Sequence, residues 1–229
     1  MRKPVLILDY SVDGQSGANI KRWFSVPVEV GRVSSLGSFP GLNPEEYSGV
    51  VHSGSALSIV DDHPFIPGAK EFIGNCCTCS IPQMGICYGH QLLARAISGR
   101  NSVERCNSVE LGWIPVDFLP SWPVEGLVGS YAVWQSHYDR VIKLPQGSVI
   151  TATNHHTEIQ AFFNSELRLF GTQFHPEFDR DSGNRCFADD PEIFAINGID
   201  IKKTLQDGPG FNTGKVVFDH FLKAFEQEL

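Results

Sequence analysis

Through the first half of the chain, short apolar runs alternate with longer stretches of mixed polarity. Val5–Tyr10, Val28–Val33, Gly49–His52 and Pro82–Ile86 are the short runs, with the apolar density of buried strands. Between them, Ala18–Phe24, Pro67–Cys77 and His90–Ser98 carry helical spacing, and the last of these stops at Gly99, a residue suited to a helix C-terminus. This alternation predicts an α/β fold with a mostly parallel open sheet and helices on both faces. The second half reads differently. Val103–Cys106, Leu111–Phe118, Ser130–Gln135, Ser148–Thr153, Glu158–Phe163 and Leu167–Phe174 are strand-like with no helical pattern between them. They predict a small antiparallel element, with the last strand returning to the main sheet. From Asp179 to Asn212 the pattern breaks into a segment rich in Asp, Gly and Asn, with helical pieces expected near Pro191–Ile196 and Ile199–Leu205. A long excursion of this kind folds over a site, meets a partner, or is a surface excursion with no role. With no repeat, low-complexity tract or flexible linker, residues 1–229 read as a single domain.

One junction in this pattern carries chemistry. The apolar run Pro82–Ile86 ends at Gly85-Ile86-Cys87-Tyr88-Gly89-His90-Gln91, where strand turns into helix. A cysteine there sits at a helix N-terminus, whose partial positive charge favours the thiolate and whose free N–H groups, that of Tyr88 first, can bind an oxyanion. Gly85 and Gly89 frame it, as a tight turn with no room for a Cβ, or one needing positive φ, requires. A thiol nucleophile needs a base, and the base needs a group to orient it. His175-Pro176-Glu177, at the end of the last strand-like run, supplies both. Cys87, His175 and Glu177 are therefore the candidate catalytic set, and a thioester with the substrate is the expected intermediate.

Gly85–Leu92 and Gln173–Phe178 resemble the two signatures of the class I, triad-type, glutamine amidotransferases. The motifs are most similar to those of the amidotransferase domain of GMP synthetase. Ile7-Leu8-Asp9-Tyr10 is similar to that domain's first strand, Gln135-Ser136-His137-Tyr138-Asp139 to its Ser-His-x-Asp segment, and Val217–Leu222 to its closing helix. The resemblance implies a flavodoxin-like fold and implies that Cys87 attacks the side-chain amide of glutamine. His175 would move the proton, Glu177 would hold the imidazole, and water would open the γ-glutamyl thioester. It also implies that the backbone around Ser136, His137 and Tyr138 grips the amino-acid end of glutamine and that Gln91 lines the same pocket. Relatives carry a Gly-Gly-Pro-Gly run after the third strand; this chain has Ser53-Gly54-Ser55-Ala56-Leu57-Ser58, so Gly54 and Ser55 are the candidates to complete the oxyanion hole beside Tyr88.

Such glutaminases normally feed ammonia to a synthase, and these residues contain no synthase. A separate acceptor enzyme is thus the implied partner. Two alternatives stay open: a hydrolase of γ-glutamyl peptides or conjugates using the same triad, and a catalytically silent regulatory module on the same fold.

Composition narrows the rest. Hydrophobic residues at 41% and charged ones at 19% are ordinary globular usage, and a net charge of −8 argues against nucleic acid as the main partner. No apolar run approaches membrane-spanning length, and Met1-Arg2-Lys3-Pro4 does not open a signal peptide, so a cytoplasmic location is expected. Cys76-Cys77-Thr78-Cys79 lacks the second ligand pair of a zinc site and reads as the end of the helix before the Cys87 strand; no metal or cofactor is expected. Gly208–Val216 fails the phosphate-loop pattern. His52 reads as a packed strand-end residue near the oxyanion loop, and His155-His156 as a solvated turn.

Overall fold

The computed structural model describes residues 3–33, 37–123, 127–221 and 223–225. Met1 and Arg2 at the chain start, and Leu222 of the expected closing helix, lie outside them.

Nine strands form one sheet in the order β2-β1-β3-β4-β9-β8-β7-β5-β6. The first five positions are parallel: β2 (Val28–Arg32), β1 (Val5–Asp9), β3 (Gly49–His52), β4 (Gln83–Ile86) and β9 (Leu169–Thr172). Alternation along β1 shows why helices cover both faces. Leu6 and Leu8 pack with Phe72, Ile73, Leu92 and Leu93 of α2 (Ile66–Thr78) and α3 (Tyr88–Ser98). Val5 and Ile7 pack on the opposite side with Ile20 of α1 (Ser16–Lys21) and with Val217, Phe218 and Phe221 of α7 (Thr213–Phe221). Successive side chains of a strand point to opposite faces, so an all-apolar strand demands cover on each.

The antiparallel part is neither small nor separate. β8 (Ala161–Asn164), β7 (Val149–Thr153), β5 (Val103–Phe118) and β6 (Gly129–Val141) continue the same sheet beyond β9. The two expected strands at 103–106 and 111–118 are one strand, interrupted by a register shift between Arg105 and Glu110 against β6. Likewise β6 runs on through Ser136–Asp139. Those residues are polar, yet they pair with β5 across the shift, so pairing rather than polarity decides their conformation.

The segment after Glu177 is helical rather than loose: α4 (Arg180–Asp189), α5 (Pro191–Ile196) and α6 (Ile201–Thr204). The sequence pattern contains α5 and α6 but not α4. A capping box starts α4, with the Asp179 carboxylate accepting the Ser182 N–H and the Ser182 hydroxyl reaching back to the Asp179 backbone. Phe187 and Phe194 of α4 and α5 close a third apolar cluster over Leu111, Trp113 and Trp134. No described helix is long and apolar enough to cross a membrane.

Candidate active site

β4 delivers Cys87 to the carboxyl edge of the sheet, and the chain reverses there into α3. Cys87 itself takes the strained conformation, φ 50° and ψ −104°. The expectation of positive φ at the flanking glycines is not met; their role is close approach. A Cβ on Gly85 would lie 2.4 Å from the Gly89 carbonyl oxygen, and one on Gly89 would lie 2.1 Å from the His52 carbonyl oxygen. The Cys87 N–H donates to Thr172 of β9 at 2.8 Å, and its carbonyl accepts from the Gln91 N–H at 3.0 Å. The turn is therefore held from the neighbouring strand and from its own helix.

β9 lies beside β4, so the chain that follows it passes the same edge. His175 donates its N–H to the Trp134 carbonyl at 3.0 Å, joining the end of β9 to β6. His175 Nδ1 and Glu177 Oε1 are 2.7 Å apart, with Glu177 1% exposed. Burial by itself would lower the pKa of His175, but the Glu177 carboxylate and the neighbouring Cys87 side chain carry it up to about 10. The pair is braced from outside. The Glu177 carbonyl accepts from Arg22 at 2.7 Å and from the Trp23 indole at 3.0 Å. The Trp134 ring stands edge-on to His175 at 4.8 Å and stacks on Phe187 of α4 at an equal distance.

The loop after β3 is fastened side chain by side chain. The Ser53 hydroxyl accepts from the Tyr10 N–H and donates to the Gly54 carbonyl, both at 2.9 Å, which sets the Gly54–Ser55 peptide. The Ser55 hydroxyl donates to the Tyr10 carbonyl at 2.8 Å and accepts from the Leu57 N–H at 3.1 Å, so it is engaged within the loop. Gly54 has no room for a side chain, since a Cβ would lie 2.6 Å from His175 Cε1. Further along the loop, the Asp139 carboxylate accepts from the Ser58 hydroxyl and from the Ile59 N–H. Tyr88 starts α3, so its N–H belongs to the first turn, which a helix leaves without internal acceptors.

A cavity of about 210 Å³ opens beside the sulfur; Cys87, Ser55, Gln91, Ser136, His137 and Tyr138 are among its lining residues, as are Arg105, Asp139 and Ile193. All four residues expected to contact substrate thus reach one space. Their side chains are differently employed. The Gln91 amide donates to the Asp139 carbonyl at 2.7 Å and to Gln173 at 3.1 Å. The His137 ring is buried against Glu110 Oε2 at 2.9 Å and the Asp139 carbonyl at 3.0 Å. The Tyr138 hydroxyl accepts at 3.0 Å from Asn197, which caps the C-terminus of α5. A wider groove of about 740 Å³ opens on the imidazole side, past Gly54, His175 and Phe178 and along α4.

Some residues at this site leave no trace in the sequence pattern. Glu110 is one: buried, it also accepts from Gln160 at 2.7 Å and from Asn154. Burial pushes its carboxyl pKa up, but His137 above all, with Asn154 and His156, holds it below its usual range. His156, expected to be solvated, instead meets Thr157 and Ser108 at the rim of this network. Arg105 and Trp134 are the others. His52, as expected of a packed residue, is fully buried between Tyr10 and Gln83, and burial lowers its pKa to about 4. Cys76 and Cys77 end α2 and Cys79 follows it; among the described residues no group of His, Cys, Asp and Glu is disposed to hold a metal ion.

Comparison with known proteins agrees with the motifs. A family model, glutamine amidotransferase class-I, matches residues 35–190. The glutamine-hydrolysing GMP synthase subunit of Sulfolobus acidocaldarius is 32% identical over 134 residues, covering 58% of this chain and 69% of that one. The GMP synthase of Staphylococcus aureus is 30% identical over 156 residues, which are 64% of this chain but 29% of that longer protein. Among solved structures, a glutamine amidotransferase from Methylobacillus flagellatus superposes with a TM-score of 0.79 at 21% identity, covering 99% of this chain and 94% of that one. One from Thermotoga maritima gives 0.77 at 23%, covering 100% and 98%. The chain belongs to the class-I glutamine amidotransferase family.

Proposed function

We propose that this enzyme hydrolyses the side-chain amide of glutamine through a γ-glutamyl thioester on Cys87 and releases ammonia for a separate acceptor enzyme. One observation carries the reading: the strained Cys87 turn on β4 faces the His175–Glu177 pair at the end of the adjoining strand β9. The sulfur attacks the amide carbon while the thiol proton resides on His175. The tetrahedral oxyanion is met by the Tyr88 N–H and by N–H groups of Gly54 and Ser55. Collapse breaks the C–N bond, and His175 gives its proton to the departing ammonia. Water then attacks the thioester with His175 as base, yielding glutamate and the free thiol. Glu177 keeps the ring oriented and stabilises its charged form. A relative that is named as one subunit of a glutamine-hydrolysing synthase supports a separate acceptor.

The test is intact-protein mass after exposure to 6-diazo-5-oxo-norleucine, with Cys87→Ser as control and glutamate release measured in parallel. A single adduct lost in the control, together with glutamate release, is the expected result. No adduct would sink the glutamine site and favour the silent module.

A second reading, hydrolysis of γ-glutamyl peptides or conjugates, is favoured by the 740 Å³ groove on the His175 side, which exceeds what a departing ammonia requires. Turnover of such compounds with none of glutamine would select it.

A further inference from the structure

Among the described residues, the cavity beside Cys87 has one cationic side chain outside any buried network, and its position is set by strand register. Arg105 stands directly opposite Asp139 in the β5–β6 pairing, at the last residue before the register shifts. Its Nε donates to Asp139 Oδ1 at 3.2 Å. The other oxygen of that carboxylate is already taken by Ser58 and Ile59, and the Asp139 side chain is only 7% exposed. The Arg105 side chain is 60% exposed, and its two terminal nitrogens make no other hydrogen bond among the described residues. Arg105 is thus anchored through Nε alone, with the fork of the guanidinium left open beside the cavity it lines.

Such a fork suits a carboxylate, which it binds through two parallel charge-assisted hydrogen bonds. With the reacting carbonyl held at the sulfur, the remainder of a glutamyl group must extend along the Gln91 and Ser136–Asp139 wall, the wall that ends at Arg105. Resting on the glutamyl reading of the site, we propose that Arg105 binds the α-carboxylate of the substrate and so determines selectivity for amides of α-amino acids. Asp139 is then a positioning residue, which aims the guanidinium and ties it to the loop after β3.

Steady-state kinetics of the whole chain on three amides tests this. Glutamine carries both α-groups, glutaramate keeps only the carboxylate, and 4-aminobutanamide keeps only the amine. Replacing Arg105 by Gln should raise KM for glutamine and glutaramate by about tenfold or more, since a hydrogen-bonded charge is lost. It should leave kcat for glutamine and KM for 4-aminobutanamide where they were, and Arg105→Lys should recover part of the loss. A purely structural role would move all three amides together, and that outcome overturns the proposal. A second measurement needs no turnover: glutamate should protect Cys87 from iodoacetamide better than 4-aminobutanoate does, and Arg105→Gln should erase that difference. Turnover of glutamine without any Arg105-dependent selectivity defeats this assignment alone. Neither turnover nor protection in the unmodified enzyme defeats the glutamyl site as well.

Discussion

Between β4 and α3 the Cys87 turn occupies a few consecutive residues; across the cavity, the opposing wall draws on β5, β6, the loop after β3 and α5. The turn is held by backbone bonds and by the absence of side chains at Gly85 and Gly89. The wall is held by side chains that meet across long sequence separations, such as Arg105 with Asp139, His137 with Glu110, and Trp134 with Phe187. The first arrangement tolerates almost no change in shape; the second depends on particular chemical groups. Substitutions in the two regions should therefore fail in different ways.

Cys87→Ser gives the largest expected effect: glutamate release should fall by about 10³-fold or more while the thermal midpoint stays close to that of the parent. Equal activity in this variant would remove the turn from the mechanism. Gly89→Ala should destabilise by about 3 kcal/mol or prevent folding, because the added Cβ meets a backbone carbonyl that cannot yield. Phe187→Ala, on the wall side, should cost about 3 kcal/mol through lost aromatic burial and also lower kcat, because Trp134 loses the ring that presses it toward His175. Loss of stability without any change in kcat would separate α4 from the site. Gly54→Ala sharpens the contrast: its Cβ meets the tip of the His175 ring rather than backbone, so kcat should fall about tenfold with little loss in denaturant midpoint.

The smallest effect is a pH dependence. His52 is held neutral in the fold, with a pKa of about 4 against 6.5 for a free histidine. Between those values the unfolded chain binds a proton that the folded chain refuses, so stability drops as pH falls through that window. His175 acts in the opposite sense: the fold keeps its proton up to about 10, so its contribution is complete below 6.5 and is lost as pH rises toward 10. Melting temperatures recorded from pH 4 to 10 should decline toward both ends, and His52→Asn should make the acid side shallower, leaving the share of His90, whose pKa burial lowers to about 3. An unaltered acid limb in that variant would place the titrating group elsewhere.

The Cys87 turn is legible in the sequence because its constraints are local. Gly85, Cys87 and Gly89 announce a tight strand-to-helix turn, and the apolar run before it announces a buried strand. The His-x-Glu spacing reads equally well, since both side chains leave one short stretch of chain. By contrast, the polarity of Ser136–Asp139 conceals strand β6, and nothing near Arg105 points to Asp139. α4 is too polar to show a helical period; only the Asp179–Ser182 capping pair signals its start. The ring of His137 is likewise unannounced in its employment: it turns into Glu110, a partner 27 residues away in the chain.

By itself, then, the sequence determined the α/β class and the strand that carries Cys87, and it put forward Cys87, His175 and Glu177 as candidates, because periodicity and close-packed glycines act over a few neighbouring residues. Tertiary structure decided the continuous sheet, the wall of the cavity beside Cys87 and the bracing of His175. Those depend on register and on side chains brought together from distant segments, and a contact of that kind leaves no periodic mark on either partner's own stretch of chain.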